Sequence, residues 1–391
     1  MVLVAISGLN GVSAEPDRAN VTFSRYAGSI VCKGTCLVVS IASAVLALLL
    51  LGITLVARLR VTWWWIRAAE FPRVQLAAAA LLLLPICTFA DAPWSLVGLG
   101  SCLMVIAIQV VHVLPWTPFW PVQVKRAEPG HESRCLTLLI ANVLTPNRNA
   151  RGLIAQIHQY RPDLVLTLES DGWWQEQLDG ALNEAWPHAI RVPLDNLYGM
   201  HLYSRLPLVD PEVQWLIQDD IPSFHTGVRL PCGDEIRLHA LHPRPPAPGE
   251  SEESLWRDAE LLLVGKAIHD DPVPTLVAGD LNDVAWSRTT RLFCRVSGML
   301  DPRRGRGMFS TFHAHYPLLR WPLDHVFASE HFTLGGLKRL RGFGSDHFPI
   351  LATLCFRPAR ADEHDTPEAD AEEHREAHNT VHEGKEREQQ E

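Results

Sequence analysis

The sequence lacks several features that define whole classes of protein. None of its eight cysteines forms a Cys-x-x-Cys pair, so neither a zinc site nor a disulfide framework is indicated. No internal repeat is visible, and residues 1–35 begin with apolar residues but without a basic segment. We therefore treat 1–35 as an N-terminal extension and do not expect a cleaved signal peptide.

The chain also has no excess of basic residues. It contains 35 Lys and Arg residues against 44 Asp and Glu residues, which gives a formal net charge of −9. Residues 361–391 carry this whole excess, so the rest of the chain is neutral. A dedicated duplex-DNA-binding protein usually has a basic face, and the charge balance argues against that class. Because 361–391 has almost no apolar residues, we predict a disordered acidic tail there.

Apolar residues, in contrast, are concentrated near the N-terminus. Residues 36–57 and 93–115 form windows of 22 and 23 residues without a charge, long enough to cross a hydrocarbon layer of ~30 Å. A third window, 76–90, is shorter. We predict a membrane anchor of three transmembrane helices within 36–120. A buried helical hairpin in a soluble protein is the alternative, and windows this long and apolar disfavour it.

The segments between these windows bear on how the anchor is oriented. Trp63, Trp64 and Trp65 stand beside Arg67, a composition typical of the membrane–water interface. Basic residues on the side of the C-terminal domain outnumber those on the opposite side by six to three. This count favours a cytoplasmic domain by a small margin, so the side stays open. We expect a multi-pass protein of the cell (inner) membrane.

The pattern changes between residues 132 and 357. Short apolar segments alternate with amphipathic ones, and residues 135–143 and 163–169 match buried strands on either side of a helix at 150–161. This alternation predicts a single α/β domain over 132–357.

Polar side chains stand at the ends of the strands predicted in this domain. Each one alone is explained as well by a turn or a helix cap as by a function. Together they form a set of carboxylates, amides and imidazoles at strand ends, where α/β enzymes gather their sites. The set is Asn142, Glu169, His242, Asp280, Asn282, Asp324, Asp346 and His347.

The order of these residues carries a resemblance to a known family. Gly279-Asp280-Leu281-Asn282 and Ser345-Asp346-His347, with Glu169 upstream, resemble motifs of the endonuclease/exonuclease/phosphatase superfamily (deoxyribonuclease I-like). With its anchor, the chain resembles the membrane-anchored bacterial branch. The resemblance implies a four-layer α/β sandwich, in which two packed β-sheets are flanked by helices. It also implies a metal-dependent hydrolase of ester bonds, in the phosphodiesterase, phosphatase or nuclease class.

The resemblance further implies which residues would hold a metal ion. Glu169 and Asn142 would bind Mg²⁺ or Mn²⁺, and Asp346 would support the metal or its water network. A carboxylate and an amide oxygen are hard donors of the kind that these ions prefer.

The remaining residues would act on the phosphate and the attacking water. Asp280 would orient or deprotonate the water, and Asp324 would hold His347 in one tautomer. His347 would contact the scissile phosphate or transfer a proton. Asn282 and His242 would donate hydrogen bonds to phosphate oxygens as charge develops there. The sequence does not identify the general base.

Three functions follow from these features. We expect a membrane-anchored, divalent-metal-dependent phosphoesterase that acts on a lipid-linked or membrane-proximal phosphoester, with the lipid bilayer as its partner. A Mg²⁺-dependent nuclease acting on nucleic acid is the alternative, supported by local basic patches at 303–306 and 338–341. A non-catalytic membrane scaffold is a further alternative, weakened because each motif position keeps a chemically competent residue. The oligomeric state stays open.

Overall fold

The computed structural model describes residues 18–390, and their side chains from residue 36 onward. The described chain divides into two compact units. One comprises 18–52 with 78–106, and the other comprises 53–77 with 107–390.

Four helices make up the N-terminal part of the chain. They are α1 (Arg18–Val56), α2 (Trp64–Ala68), α3 (Arg73–Thr88) and α4 (Trp94–Val113). Two segments of the described chain, Cys36–Val56 and Trp94–Trp116, are long and apolar enough to cross a membrane. This finding is weak evidence for a membrane, because a buried core helix or a signal sequence passes the same test.

The prediction of three spans is therefore corrected to two candidate spans. Helix α3 has 16 residues, and at 1.5 Å per residue it is about 24 Å long, short of the ~30 Å hydrocarbon layer. The apolar composition of 76–90 suggested a span, but composition alone does not show where the helix begins and ends.

The first unit is held together by small residues. A Cβ added at Gly98 of α4 would lie 2.6 Å from the sulfur of Cys87 in α3. The backbone N–H of Asp91 donates a hydrogen bond to the hydroxyl of Ser40 in α1 at 2.9 Å. Close approach at small residues is the usual way in which apolar helices pack in lipid.

The second unit contains two mixed β-sheets. The six-stranded sheet has the order β10-β11-β1-β2-β4-β3, and the five-stranded sheet has the order β5-β6-β7-β8-β9. The strands are β1 (Cys135–Asn142), β2 (Leu164–Leu168), β3 (His188–Val192), β4 (Met200–Ser204), β5 (Leu208–Gln214), β6 (Ser223–Arg229), β7 (Glu235–Leu241), β8 (Thr275–Asp280), β9 (Asp324–Ala328), β10 (Phe332–Arg339) and β11 (Ile350–Phe356).

The sheets pack face to face around one apolar core. Alternate residues of each central strand enter it, such as Leu138 and Ile140 of β1 and Leu276 and Ala278 of β8. The intervening residues face helices, as Leu139 does. Those helices are α5 (Ala150–Tyr160) and α6 (Gly172–Leu182) on one sheet, and α7 (Leu255–Asp270) and α8 (Arg288–Ser297) on the other. The prediction of two packed sheets flanked by helices is confirmed.

A disulfide joins two neighbouring strands of the first sheet. Cys135 of β1 and Cys355 of β11 are direct partners in the antiparallel register, and their sulfurs are bonded. They are 220 residues apart in the sequence, and their pairing depends on β11 lying beside β1. The spacing of the cysteines indicated no disulfide framework, and it gave no sign of this single long-range bond.

The structure also corrects the prediction of a disordered acidic tail. Residues Ala371–Glu388 form a helix, α9, whose start is capped by reciprocal hydrogen bonds between Asp370 and Glu373. Ala377, Val381 and Gly384 lie on one face and are buried. A Cβ added at Gly384 would lie 2.5 Å from that of Ala259 in α7, so the two helices are in close contact. The prediction of disorder used the overall composition of the tail. That composition does not show that three small residues lie at helical spacing and can pack on another helix.

Candidate functional site

The candidate site lies at one edge of both sheets. Strands β1 and β2 run parallel, as do β7 and β8, so the carboxyl ends of each pair reach the same edge. Asn142 ends β1 and Glu169 follows β2. His242 follows β7 and Asp280 ends β8. The face-to-face packing of the sheets brings these two pairs of ends together.

Special backbone conformations shape this edge. Gly279 has a φ of 146°, and a Cβ there would lie 1.9 Å from the carbonyl oxygen of Leu241. Only glycine lets β8 approach β7 so closely just before Asp280. Glu169 and Asn282 have φ angles of 56° and 49°, which are uncommon for residues other than glycine. Such conformations cluster at functional sites, where the surrounding contacts hold them in place.

Asn142 connects carboxylates that come from the two sheets. Its side-chain Nδ2 donates to Oε1 of Glu169 at 2.6 Å and to Oδ2 of Asp280 at 3.2 Å. Burial raises the pKa of Glu169 to about 7; the hydrogen bond from Asn142 opposes this rise, and nearby Asp346 and Asp280 add to it. Burial is also the main cause that raises the pKa of Asp280. Both carboxyl groups are therefore protonated more readily here than in water.

His347 lies between two carboxylates. Its Nδ1 is 2.8 Å from Oδ2 of Asp324, and its Nε2 is 3.4 Å from Oδ2 of Asp280. Burial disfavours the charged imidazole, but Asp324 and Asp280 outweigh burial and raise the pKa of His347 to about 10. The side chain is therefore a cation at neutral pH, with Nδ1 fixed by Asp324. The ring of Phe312 lies against it, with 5.0 Å between the ring centroids.

His242 is the second histidine at this edge. It is buried, and burial lowers its pKa to about 4, so the ring is neutral at pH 7. Its Nδ1 and the Oδ1 of Asp324 are buried atoms without a hydrogen-bond partner in the described chain. Tyr198 packs beside it, with 5.5 Å between ring centroids. A neutral imidazole with a free nitrogen can still donate or accept one hydrogen bond.

Two of the predicted site residues, Asn282 and Asp346, also form hydrogen bonds with neighbouring loops. The side-chain Nδ2 of Asn282 donates to the carbonyl of Pro243 at 3.0 Å, and its backbone N–H donates to Oδ1 of Asp280 at 2.9 Å. Asn282 therefore holds the loop after β8 against the loop after β7. The carbonyl of Asp346 accepts a hydrogen bond from the N–H of Ala314 at 2.6 Å.

Ser345 is a further residue of this edge, which the sequence analysis included in a motif without giving it a role. Its hydroxyl donates to the carbonyl of Asn142 at 2.8 Å and accepts from the N–H of His347 at 3.0 Å. Ser345 thus ties the segment that carries His347 to the end of β1. Tyr198 and Phe312 were missed altogether, because isolated aromatic residues in loops give no signal in a single sequence.

The donor set suits a hard divalent cation. Ligand atoms of Asp280, Asp324 and His347 lie within 4.8 Å of one another, so a metal could be held there. Glu169 also offers carboxylate oxygen, which favours Mg²⁺ or Mn²⁺ over softer metals. The side-chain oxygen of Asn142 accepts a hydrogen bond from the N–H of Leu144 at 3.0 Å. A bound cation would also stabilise the ionised form of Glu169, which burial disfavours.

Comparisons with known proteins agree with the fold and the motifs. A model of the Endonuclease/Exonuclease/phosphatase family matches residues 139–347, more than half of the chain. The chain belongs to this family, whose members are hydrolases of the phosphoesterase and nuclease classes. The resemblance to the superfamily inferred from the motifs is thereby confirmed.

Several solved structures are similar to the chain. An endonuclease/exonuclease/phosphatase from Beutenbergia cavernae DSM 12333 is 16% identical, with a TM-score of 0.45, and covers 57% of this chain and 72% of its own. The human Nocturnin catalytic domain is 14% identical, with a TM-score of 0.48, and covers 57% and 94%. Sphingomyelinase C from Streptomyces griseocarneus is 16% identical, with a TM-score of 0.42, and covers 56% and 99%. No curated protein gives a significant match.

Proposed function

We propose that the protein is a membrane-anchored, divalent-metal-dependent phosphoesterase that hydrolyses a phosphoester at the bilayer surface. Glu169 and Asn142 hold Mg²⁺ or Mn²⁺ in this proposal, and Asp346 supports the water network. We assign the cation to Glu169 because the facing atoms of Asp324 and His347 already bond to each other. Asn142 would join it by turning its side-chain oxygen, now bonded to the N–H of Leu144, toward the cation. A bound cation would polarise a phosphoryl oxygen and stabilise the charge that develops on it.

The chain's own residues then bring about the reaction. Asp280 accepts a hydrogen bond from the attacking water and orients it toward the phosphorus. The imidazolium of His347, positioned by Asp324, donates a hydrogen bond to a phosphoryl oxygen. His242 donates a second hydrogen bond from its neutral ring. Asn282 acts mainly by fixing the loop that carries Asp280.

The observation that carries the membrane part of this proposal is an apolar cluster beside the site. Trp116, the last residue of the candidate span Trp94–Trp116, packs with Val284, Ala285, Trp286 and Leu323. These residues lie in the loop after β8 and just before β9, next to Asp280 and Asp324. The indole N–H of Trp286 also donates to the carbonyl of Glu70 at 2.9 Å, in the segment between α2 and α3. The end of the span is therefore packed directly on the loops that form the site.

A second feature is an exposed apolar loop, 312–321, that joins the site to the anchor. At one end, Phe312 contacts His347. At the tip, Tyr316, Leu318 and Leu319 are 58%, 83% and 48% exposed. The side chain of Gln75, in the first turn of the apolar helix α3, donates to the carbonyl of Leu318 at 2.8 Å. An exposed apolar tip bonded to a membrane-flanking helix suits insertion into the bilayer surface.

The variant Leu318→Asp/Leu319→Asp tests this proposal. With Mg²⁺, we expect hydrolysis of phospholipid or polyprenyl-pyrophosphate vesicles to fall about 10-fold or more, because charged side chains oppose insertion at the interface. Hydrolysis of a soluble chromogenic phosphodiester should be unchanged. The full-length protein is assayed in neutral detergent and in liposomes. Val213→Asp/Trp215→Asp, at exposed apolar residues around the end of β5, is the matched control.

Other substrates decide between this proposal and its alternatives. Hydrolysis of DNA but of no lipid substrate would establish the nuclease instead. Equal activity of the variant and the wild type on vesicles would contradict the proposal that the loop tip inserts into the bilayer to reach a lipid substrate. The scaffold would be favoured if no phosphoester is hydrolysed with any divalent metal.

We also infer that the catalytic domain faces an oxidising compartment. The Cys135–Cys355 disulfide supports this side, because such bonds persist outside the reducing cytoplasm. The count of flanking basic residues favoured the opposite side, but only by a small margin. A C-terminal alkaline phosphatase fusion should be active in a bacterial host, and a C-terminal green fluorescent protein fusion should be dark. The reverse pattern, or a fully reduced Cys135 in peptide mass spectra, would place the domain in the cytoplasm.

A further inference from the structure

A cavity lies beside the end of the candidate span, on the apolar cluster that contains Trp116 and Trp286. Its volume is about 530 Å³. Its apolar lining includes Val111, Pro115 and Trp116. The lining is also rich in arginine, and none of the eight predicted site residues belongs to it. Its arginines are Arg60, Arg288, Arg291, Arg295 and Arg304.

Four of the five carboxylates that line this cavity are already in ion pairs. The fifth, Asp370, accepts hydrogen bonds from the backbone N–H groups of Glu372 and Glu373. Glu372 and Glu373 of α9 contact Arg60 at 3.4 Å and Arg295 at 2.7 Å. Glu376 of α9 pairs with Arg288. Asp301, which also lines the cavity, bonds to Arg303 at 2.6 Å, outside the lining.

Two of the arginines form no ion pair in the described chain, although Glu70 is close enough to raise the pKa of Arg291 against the lowering by burial. Within residues 36–390, neither Arg291 nor Arg304 has a carboxylate within ion-pair distance. Nε of Arg291 donates only to the carbonyl of Ser287 at 3.1 Å. Nε of Arg304 is buried and has no hydrogen-bond partner. An unpartnered buried guanidinium nitrogen is costly, and an anion in the cavity would remove that cost.

The guanidinium chemistry of these two arginines, and their position beside the end of the candidate span, indicate which anion the cavity would bind. Guanidinium groups bind phosphate through paired, charge-assisted hydrogen bonds. Trp116 and the end of the span belong at headgroup depth if the chain is anchored as proposed above. The wall formed by Val111 and Pro115 would then face the upper part of the acyl chains.

We propose that this cavity binds the phosphate group of an anionic phospholipid, at a site separate from the catalytic centre. Arg291 and Arg304 hold the phosphate, and Trp116 packs beside the glycerol region. This inference rests on the membrane placement in the proposed function but not on catalysis. Its test therefore measures binding alone.

Binding is measured by native mass spectrometry of the full-length protein released from neutral detergent. The probes are dihexanoyl phosphatidylglycerol, dihexanoyl phosphatidylcholine and inorganic phosphate. The wild type should bind one phosphatidylglycerol more tightly than either other probe. In Arg291→Gln/Arg304→Gln, the affinity for that lipid should fall about 10-fold or more, since the charged hydrogen bonds to the phosphate are lost.

Two further variants control for charge and folding. Arg151→Gln/Arg161→Gln removes two exposed arginines at the ends of α5, which have no ion pair in the described chain, and should bind phosphatidylglycerol as the wild type does. Arg291→Lys/Arg304→Lys keeps the charge and should retain part of the affinity. It serves in place of the glutamine variant if that variant unfolds.

Three results would overturn the inference. The first is equal phosphatidylglycerol binding by the wild type and by the glutamine and lysine variants. The second is an equal loss in the Arg151→Gln/Arg161→Gln control, which would show a general effect of charge. The third is inorganic phosphate binding as tightly as the lipid, which would identify a site for a free anion. Hydrolysis of a soluble phosphodiester is followed separately, so a failure here leaves the proposed function untouched.

Discussion

Glu169→Ala is expected to lower kcat/KM for a soluble phosphodiester at least about 100-fold in Mg²⁺. Glu169 is the carboxylate that we assign to the cation, and loss of even an outer partner of a metal typically costs 10–100-fold. Excess Mn²⁺ should restore part of the activity, because the remaining oxygen donors still bind a metal when its concentration is raised. The measurement is hydrolysis against metal concentration, with the full-length protein in neutral detergent.

Glu176→Ala is the matched control for this variant. Glu176 lies on α6 and is exposed, so its loss should leave the metal dependence unchanged. If Glu169→Ala keeps wild-type activity and the same dependence on Mg²⁺, Glu169 does not hold the cation. A loss of activity with an unchanged metal midpoint would point to another role for this carboxylate.

The second large effect is expected at His347. His347→Ala should lower kcat by about 10² to 10⁴-fold, the range expected for loss of a positioned proton donor. The reason is the geometry of the imidazolium, which Asp324 fixes at 2.8 Å and which lies 3.4 Å from Asp280. Excess Mn²⁺ should not rescue this variant, because the donors assigned to the cation are intact. Single-turnover kinetics across a range of metal concentrations would measure both properties.

Asp324→Asn separates positioning from direct contact. Asp324 acts through His347, so its replacement should lower kcat less than His347→Ala and leave KM nearly unchanged. His158→Ala, at an exposed histidine on α5, is the control. Rescue of His347→Ala by metal, or wild-type rates in both site variants, would contradict the assigned contacts.

The catalytic edge could be predicted from the sequence for a physical reason. Asn142, Glu169, His242 and Asp280 stand at the ends of apolar strands, and parallel strands bring such ends to one edge. The structure does bring these residues together, with Asp324 and His347. Their chemical roles remain proposals until the variants are measured. The side-chain bond of Asn282 to Pro243 shows that a motif does not fix where each side chain points.

The sequence alone could not predict features that depend on contact between segments far apart in the chain. Cys135 and Cys355 become neighbours only when β11 pairs with β1. Helix α9 is stabilised by contact with α7 and by its cap, neither of which appears in a count of charges. The contact of Trp116 with Trp286 joins segments far apart in the chain. Each of these depends on tertiary packing, and local composition does not encode it.

The most direct test of the central claim is phosphoester hydrolysis by the metal-free, full-length protein before and after Mg²⁺ or Mn²⁺ is added back. The account predicts no turnover after chelation, recovery on adding either ion, and a shifted metal midpoint in Glu169→Ala. Turnover that persists in the chelated protein, or that never appears with either ion, would contradict a phosphoesterase built around one cation.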